Sequence, residues 1–373
     1  MLISASYICP KRGLAGLEPP EPVTLGRAAK VAKAIGLERL LIPVLEEALS
    51  GMIRAKIAFL DGLVEALDQI DEAGTTAWFI APAQRVLGLD WVAPQMVGGF
   101  RDPSAEPVFV DGKVRHLPRL DLWADPSLIQ KRIKTFRELL SAVCGHPGLT
   151  GWLILDRALE WVRPDAWEAD WVLKSFLGEI RDQDERATIY MGIGWQELLE
   201  PEMVRALSKQ VDGLRLSGLE AWSPNFRKPP HGMDDLMAAA YLGTLCQWLL
   251  DRPTEVEVGW ALADRTGDPE EMLAAGERLG KQALGGVNWV SLADPAPGLR
   301  QEPPWVMAPG LERVGLVDQG LEPKAWVEPW IKQVRAAASE AKVVHFIDVD
   351  PQEYMDDPQM HLSRLWNHFL EFE

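Results

Sequence analysis

The 373-residue sequence predicts an α/β protein built as a (β/α)8 TIM barrel, and three observations carry that prediction. Short apolar runs alternate with amphipathic helical stretches along the chain, the pattern of a parallel sheet wrapped by helices. Eight such runs can be counted, the number at which such a sheet closes on itself, with an open doubly wound sheet as the main rival. Residues suited to capping mark the joints: Thr24, Asp125 and Asp268 stand before helical stretches, and Gly36, Gly74 and Gly145 stand behind them.

The elements follow in order. The first strand covers residues 2–8 and leads through a Pro-rich loop into a helix that Thr24 opens and Gly36 stops. The second covers 38–44, and its helix sets Leu60, Leu63, Val64, Leu67 and Ile70 at helical spacing. The third covers 76–81. Residues 84–124 form an excursion rather than a new domain, with a hairpin in PVFVDGKVRH whose Asp111-Gly112 pair suits a primed turn. Asp125 and Pro126 then start a helix with Ile129, Ile133, Phe136, Leu140 and Val143 on one face. Strands four to eight fall at 149–155, 188–193, 213–217, 255–260 and 287–292, and the last barrel helix runs over 324–341. The barrel thus takes residues 1–341 with its loop insertion at 84–124, and 342–373 add a C-terminal extension of one strand and one helix packed on the barrel.

Thirty-eight Lys and Arg against 55 Asp and Glu leave a formal charge of −17, a field that repels nucleic-acid phosphate and anionic lipid. No nucleic-acid or membrane partner is therefore expected, and the sequence is silent on a protein partner. The opening MLISASYICPKRG has neither a basic n-region nor an apolar h-region, and no stretch approaches a membrane span, so a soluble, cytoplasmic protein is expected. Cys9, Cys144 and Cys246 are widely spaced without a CxxC pair and read as thiols in a reducing compartment. Trp, at 16, outnumbers Phe at 10 and Tyr at 4; indole faces stack on sugar C–H faces as well as filling cores.

In such a barrel the working residues stand at the C-terminal ends of the strands. Those places are rich in acidic and aromatic side chains and hold no histidine. The six histidines form no HxH or HExxH cluster, no GxxxxGK occurs, and Gly192-x-Gly194 lacks a third glycine, so neither a metal nor a cofactor is expected. Carboxylate chemistry remains. A metal-dependent alternative would have to draw on Asp156, Glu257 and Asp294.

Four stretches, in order across most of the chain, resemble clan A of the glycoside hydrolases, particularly its cellulase-like and mannanase-like barrels. They are HPGLTGWLILDR at 146–157, TEVEVGW at 254–260, GVNWVSLADP at 286–295 and VGLVDQGLEPKAW at 314–326. The resemblance implies a saccharide ligand at the C-terminal mouth, with Glu257 as nucleophile and Trp289 as the floor of a sugar subsite. It also implies departures. Aligning Trp152 with the family Trp puts Asp156 at the position of the family Asn and Arg157 at that of the acid/base Glu. Leu41 stands where the family carries a strand-two Arg, and RLSGLE ends strand six without the family His. Arg cannot serve as the proton-transfer group.

Two readings follow. In the first, a glycoside hydrolase uses Glu257 and an acid from a neighbouring loop, Glu160, or else Glu46 or Glu47. In the second, Arg157 and Glu257 form a buried pair in a non-catalytic barrel used for binding or assembly. In both, Asp156, Arg157, Trp195, Trp260 and Trp289 contact the saccharide. Glu255, two residues nearer the barrel bottom, is expected to meet solvent.

Overall fold

Eight parallel strands close into a barrel in the computed structural model, which describes residues 1–14, 21–121, 123–161, 163–219, 234–259, 269–307, 310–340 and 346–372. In chain order the strands are β1 (Leu2–Ser6), β2 (Arg39–Leu45), β3 (Thr76–Ala83), β4 (Arg85–Val86), β5 (Leu89–Trp91), β6 (Pro107–Val110), β7 (Lys113–His116), β8 (Leu149–Ile154), β9 (Thr188–Gly194), β10 (Gly213–Ser217), β11 (Thr254–Val258) and β12 (Gly286–Trp289). The barrel runs β1-β12-β11-β10-β9-β8-β3-β2, while β4 to β7 form a separate small sheet. The helices are α1 (Pro22–Ile35), α2 (Glu46–Ser50), α3 (Ile53–Glu72), α4 (Pro126–Val143), α5 (Ala158–Trp161), α6 (Ala166–Gln183), α7 (Pro201–Ser208), α8 (Asp234–Leu250), α9 (Pro269–Lys281), α10 (Val327–Ser339), α11 (Pro351–Asp356) and α12 (Pro358–Phe372).

Local chemistry fixes the joints. The Asp125 carboxylate accepts from the Ser127 and Leu128 amides to open α4, and Asp165 forms a capping box with Glu168 to open α6. Gly36 ends α1 in the left-handed conformation that glycine tolerates. Outward-facing strand residues, such as Ile42, Phe79, Trp152 and Val256, pack with the helices in the main core.

The inside of the barrel is less ordinary. Its lower layer is charged and aromatic: the Arg39 guanidinium lies 3.4 Å from the centroid of the Trp78 ring, and Trp78 meets Tyr190 edge-on at 4.8 Å. Glycines make the room. A Cβ on Gly151 would come within 2.5 Å of Trp78 and 2.7 Å of the Thr188 carbonyl, and one on Gly213 within 2.4 Å of Tyr190. Large and small interior residues from neighbouring strands thus interlock. Gly151→Ala is expected to cost about 1–3 kcal/mol of stability through overpacking, read by chemical denaturation; an unchanged midpoint would mean that Trp78 can shift aside.

The excursion after β3 contains two hairpins. That between β6 and β7 turns at Asp111 (φ 50) and Gly112 (φ 71), the primed geometry read from the sequence. The other, between β4 and β5, turns at Leu87 (φ 50) and Gly88 (φ 75) and carries no Asn-Gly or Asp-Gly signature that would reveal it. Its tip faces the barrel mouth.

After the barrel, α11 and α12 dock on α8 and on the 3-10 turn Trp195–Leu199, where Tyr354 donates to the Leu198 carbonyl at 3.0 Å. Tyr241, Phe346, Trp366 and Phe369 pack their rings together there. The strand expected early in this extension falls largely on 341–345, outside the described residues, and 346–350 are irregular. All three cysteines are free, and burial pushes the Cys246 thiol up to about 12 and that of Cys144 up to about 11. Among the described residues no helix is long and apolar enough to cross a membrane.

Candidate functional site

In the strand TEVEV the pleat sends Thr254, Val256 and Val258 to one side and Glu255 and Glu257 to the other. Val256 and Val258 join the core among the helices, so both glutamates enter the barrel. On β10 the same alternation buries Leu214 and Leu216 outside and turns Arg215 inward. The two strands are adjacent and parallel, with Arg215 in register with Glu255. Arg215 therefore reaches Glu257 one layer up.

The upper charged layer centres on that arginine. Arg215 donates through Nη2 to Glu257 Oε1 and lies, through Nη1, 3.4 Å from Asp156 Oδ2, with its side chain only 3% exposed. Burial pulls its pKa down, but the carboxylates of Glu257 and Asp156 more than offset this, so it rises. Sequence pairs Arg157 with Glu257; the guanidinium seen to donate to Glu257 is that of Arg215 on β10, and Arg157 lines the same inner cavity as Glu257. Arg157 lies over Gly218, whose added Cβ would sit 2.8 Å from its Nη2. Leu155 (φ 50) and Arg157 (φ 56) both adopt left-handed backbone at the end of β8, which is what tucks Asp156 down beside Gly192. Gly192 is thus a space-maker for a carboxylate, since a Cβ there would lie 2.2 Å from Asp156 Oδ1.

A correction concerns Glu255. It is buried and accepts from Arg39 Nη2, so it is the anion of the lower layer rather than a solvent-facing residue. Two arginine–carboxylate layers therefore stack along the barrel axis.

Above them the space divides in two. An inner cavity of about 30 Å³, room for about one water molecule, is bounded by Ser6, Arg215 and Glu257 below and by Val86, Leu87 and Gly88 above. An outer cavity of about 360 Å³ opens between the excursion and the loops after β8 and β9. Gln84, Arg85, Asp90, Glu106 and Arg119 line its excursion side; Asp156, Arg157, Leu159, Arg163, Gln196 and Glu197 line its barrel side. Asp90 holds the excursion wall together by accepting from Arg119, which also reaches Glu106 at 2.9 Å, while Arg85 stands 3.6 Å from Asp90. Burial pushes the Asp90 carboxyl up, and Arg119 and Arg85 pull it back. At the rim Arg163 pairs with Glu200 at 2.8 Å.

The other expected site residues lie elsewhere or are not brought in. Trp289 is completely buried between barrel and helices, 5.1 Å from Trp330 and 5.4 Å from Trp326, and donates to the Val314 carbonyl. The pleat turns it away from the mouth, so it floors no sugar subsite. Trp195 is half-buried against the outer core, and its neighbours Gln196 and Glu197 line the outer cavity instead. Trp260 lies outside the described residues, and of Glu160 only the backbone, in α5, is described. Glu46 turns outward to pair with Arg132 at 3.0 Å, and Glu47 faces the Asp111 backbone amide with its carboxyl pushed up by burial. Asp294 is held by Lys324 at 3.0 Å. No group of three or more potential metal-ligating side chains occurs among the described residues.

Arg39 and Arg215 are not among the residues the sequence singles out, because both sit within strands rather than at their C-terminal ends. The signal was available: an arginine in an apolar strand such as GLRLS must find a carboxylate inside the barrel.

No family model matches the sequence, and no curated protein matches it. Solved structures do. The glycoside hydrolase GH5_18 from Streptomyces cattleya, in complex with GlcNAc, aligns with a TM-score of 0.72 at 15% identity over 100% of this chain and 90% of its own. GH5_18 from Bifidobacterium longum subsp. infantis aligns at 0.67 and 13% identity over 92% and 80%. The exo-beta-1,4-mannosidase Op5Man5 from Opitutaceae bacterium strain TAV5 aligns at 0.64 and 15% over 91% and 60%. The chain thus has the barrel fold of these clan A glycoside hydrolases.

Proposed function

We propose that this chain is a glycoside-hydrolase-like barrel that binds a saccharide in the outer cavity of its mouth without hydrolysing it. One observation carries the reading: Arg215 engages both Glu257 and Asp156, the two carboxylates that border the inner cavity. Retaining hydrolysis needs a carboxylate available to attack and a second, protonated carboxyl about 5 to 5.5 Å away. Here both acids share one guanidinium, and the position of the family acid carries Arg157. Support for a saccharide comes from the shared fold, including a GH5_18 variant from Streptomyces cattleya in complex with Manb1-4GlcNAc. The outer cavity adds two buried amide atoms without a hydrogen-bond partner among the described residues, Gln84 Nε2 and Gln196 Oε1. A hydroxyl can satisfy either kind, as donor or acceptor.

Calorimetric titration with GlcNAc and Manβ1-4GlcNAc, alongside turnover of 4-nitrophenyl β-glycosides, tests the reading. Saturable binding with no turnover above the protein-free rate is expected, and Arg157→Ala and Gln196→Ala should each weaken binding about tenfold. Turnover that disappears in Glu257→Gln would replace this reading with the hydrolase one, in which Glu160 is the acid to test next. No saturable binding to either sugar would overturn the saccharide assignment.

A further inference from the structure

We infer that the β4–β5 hairpin is a built-in plug, whose Leu87 tip occupies the space in front of Glu257 and must withdraw before any ligand can touch that carboxylate. This deepens the non-hydrolytic reading, but its test does not require a saccharide to bind.

Three observations meet at the tip. Val86, Leu87 and Gly88 line the same small cavity as Glu257 and Arg215, so nothing larger than a water molecule fits between hairpin and carboxylate. Leu87 is buried in one apolar cluster with Ile8, Leu41, Ile80 and Val290, which belong to the barrel wall around the mouth. Leu87 also has φ 50, a left-handed backbone that favours Gly, Asn or Asp in a primed turn. A leucine at such a position offsets the backbone cost only because its side chain is inserted. The stem is pinned as well, since Asp90 on β5 accepts from Arg119 and stands near Arg85 on β4. Leu41 fits the same picture: an apolar side chain at that place on β2 gives the tip an apolar wall to seat against.

The inner and outer cavities share Arg85, Asp156 and Arg157 in their linings, whereas Val86, Leu87 and Gly88 line only the inner one. A ligand in the outer cavity meets Arg157 and Gln196, while the tip fills the inner space beside Glu257. Withdrawal would open a continuous mouth and expose Glu257 while leaving the Arg39–Glu255 layer beneath it closed.

Carboxyl accessibility reads this directly. The folded protein is treated with a water-soluble carbodiimide and glycine ethyl ester, and the amidation rates of Glu257, Glu255 and the 66% exposed Glu328 are compared by peptide mass spectrometry. In the parent, Glu257 should react far more slowly than Glu328. In Leu87→Ala and in Leu87→Asn, which relieves the backbone while removing the apolar tip, Glu257 should react on the order of tenfold faster with Glu255 unchanged. A Glu257 rate within twofold of the parent in both variants overturns the plug. So does an equal rise at Glu255, which would mean general loosening. Should neither variant fold, the parent decides: Glu257 reacting as fast as Glu328 overturns the inference, and Glu257 protected to the level of Glu255 supports it.

Discussion

Arg215→Ala is expected to destabilise the protein by about 3 to 5 kcal/mol, because it removes the buried guanidinium that engages both Glu257 and Asp156. Few single substitutions reach that size, and the mechanism here is specific: the lost cation served both acids. Arg215→Lys keeps the charge but not the fork that reaches two carboxylates, so its loss should fall between that of Ala and the parent. Glu257→Gln should cost less than Arg215→Ala, since Arg215 keeps Asp156. Urea denaturation of the three variants checks the order. Arg215→Ala within about 0.5 kcal/mol of the parent, the scatter of an ordinary surface change, would mean that water reaches the layer freely.

The lower layer gives the second large effect. Arg39→Ala removes the partner of buried Glu255 and the cation over Trp78 together, and a loss of about 3 to 5 kcal/mol is expected. The contrast lies in the double variant. Replacing both charges, Arg39→Met with Glu255→Leu, leaves no ion to desolvate, and its stability should return to within about 1 kcal/mol of the parent or exceed it. A double variant as unstable as the single one would show that the Trp78 contact, rather than charge pairing, carries the layer.

Much of the fold could be read from the residues, because α/β alternation, Pro126 behind Asp125 and the Asp111-Gly112 turn act locally. The boundaries moved where tertiary pairing decides them: β3 extends to Ala83 and β1 stops at Ser6. The β4–β5 hairpin could not be read, since Leu87-Gly88 becomes a turn only with the barrel mouth to receive the leucine. The site followed the same rule. That Glu257 enters the barrel follows from period two along TEVEV, but which arginine meets it depends on two strands coming side by side. Trp289 was misplaced because a motif match gave its residue type a role, whereas the pleat gives its direction.

The shared guanidinium has a consequence for how this sequence can change over time. Arg157→Glu would bring a further carboxylate toward a layer whose cation already serves two, while Leu87 still stands over Glu257. Removing Arg215 first would take from both acids the guanidinium they share. Each such replacement is therefore unfavourable alone, and becomes tolerable only in the company of the others, the strongly non-additive behaviour expected of residues in one network. A laboratory library meant to install glycoside hydrolysis here must vary 41, 87, 157 and 215 together, whereas saturating any one of them alone will return sequences close to the parent.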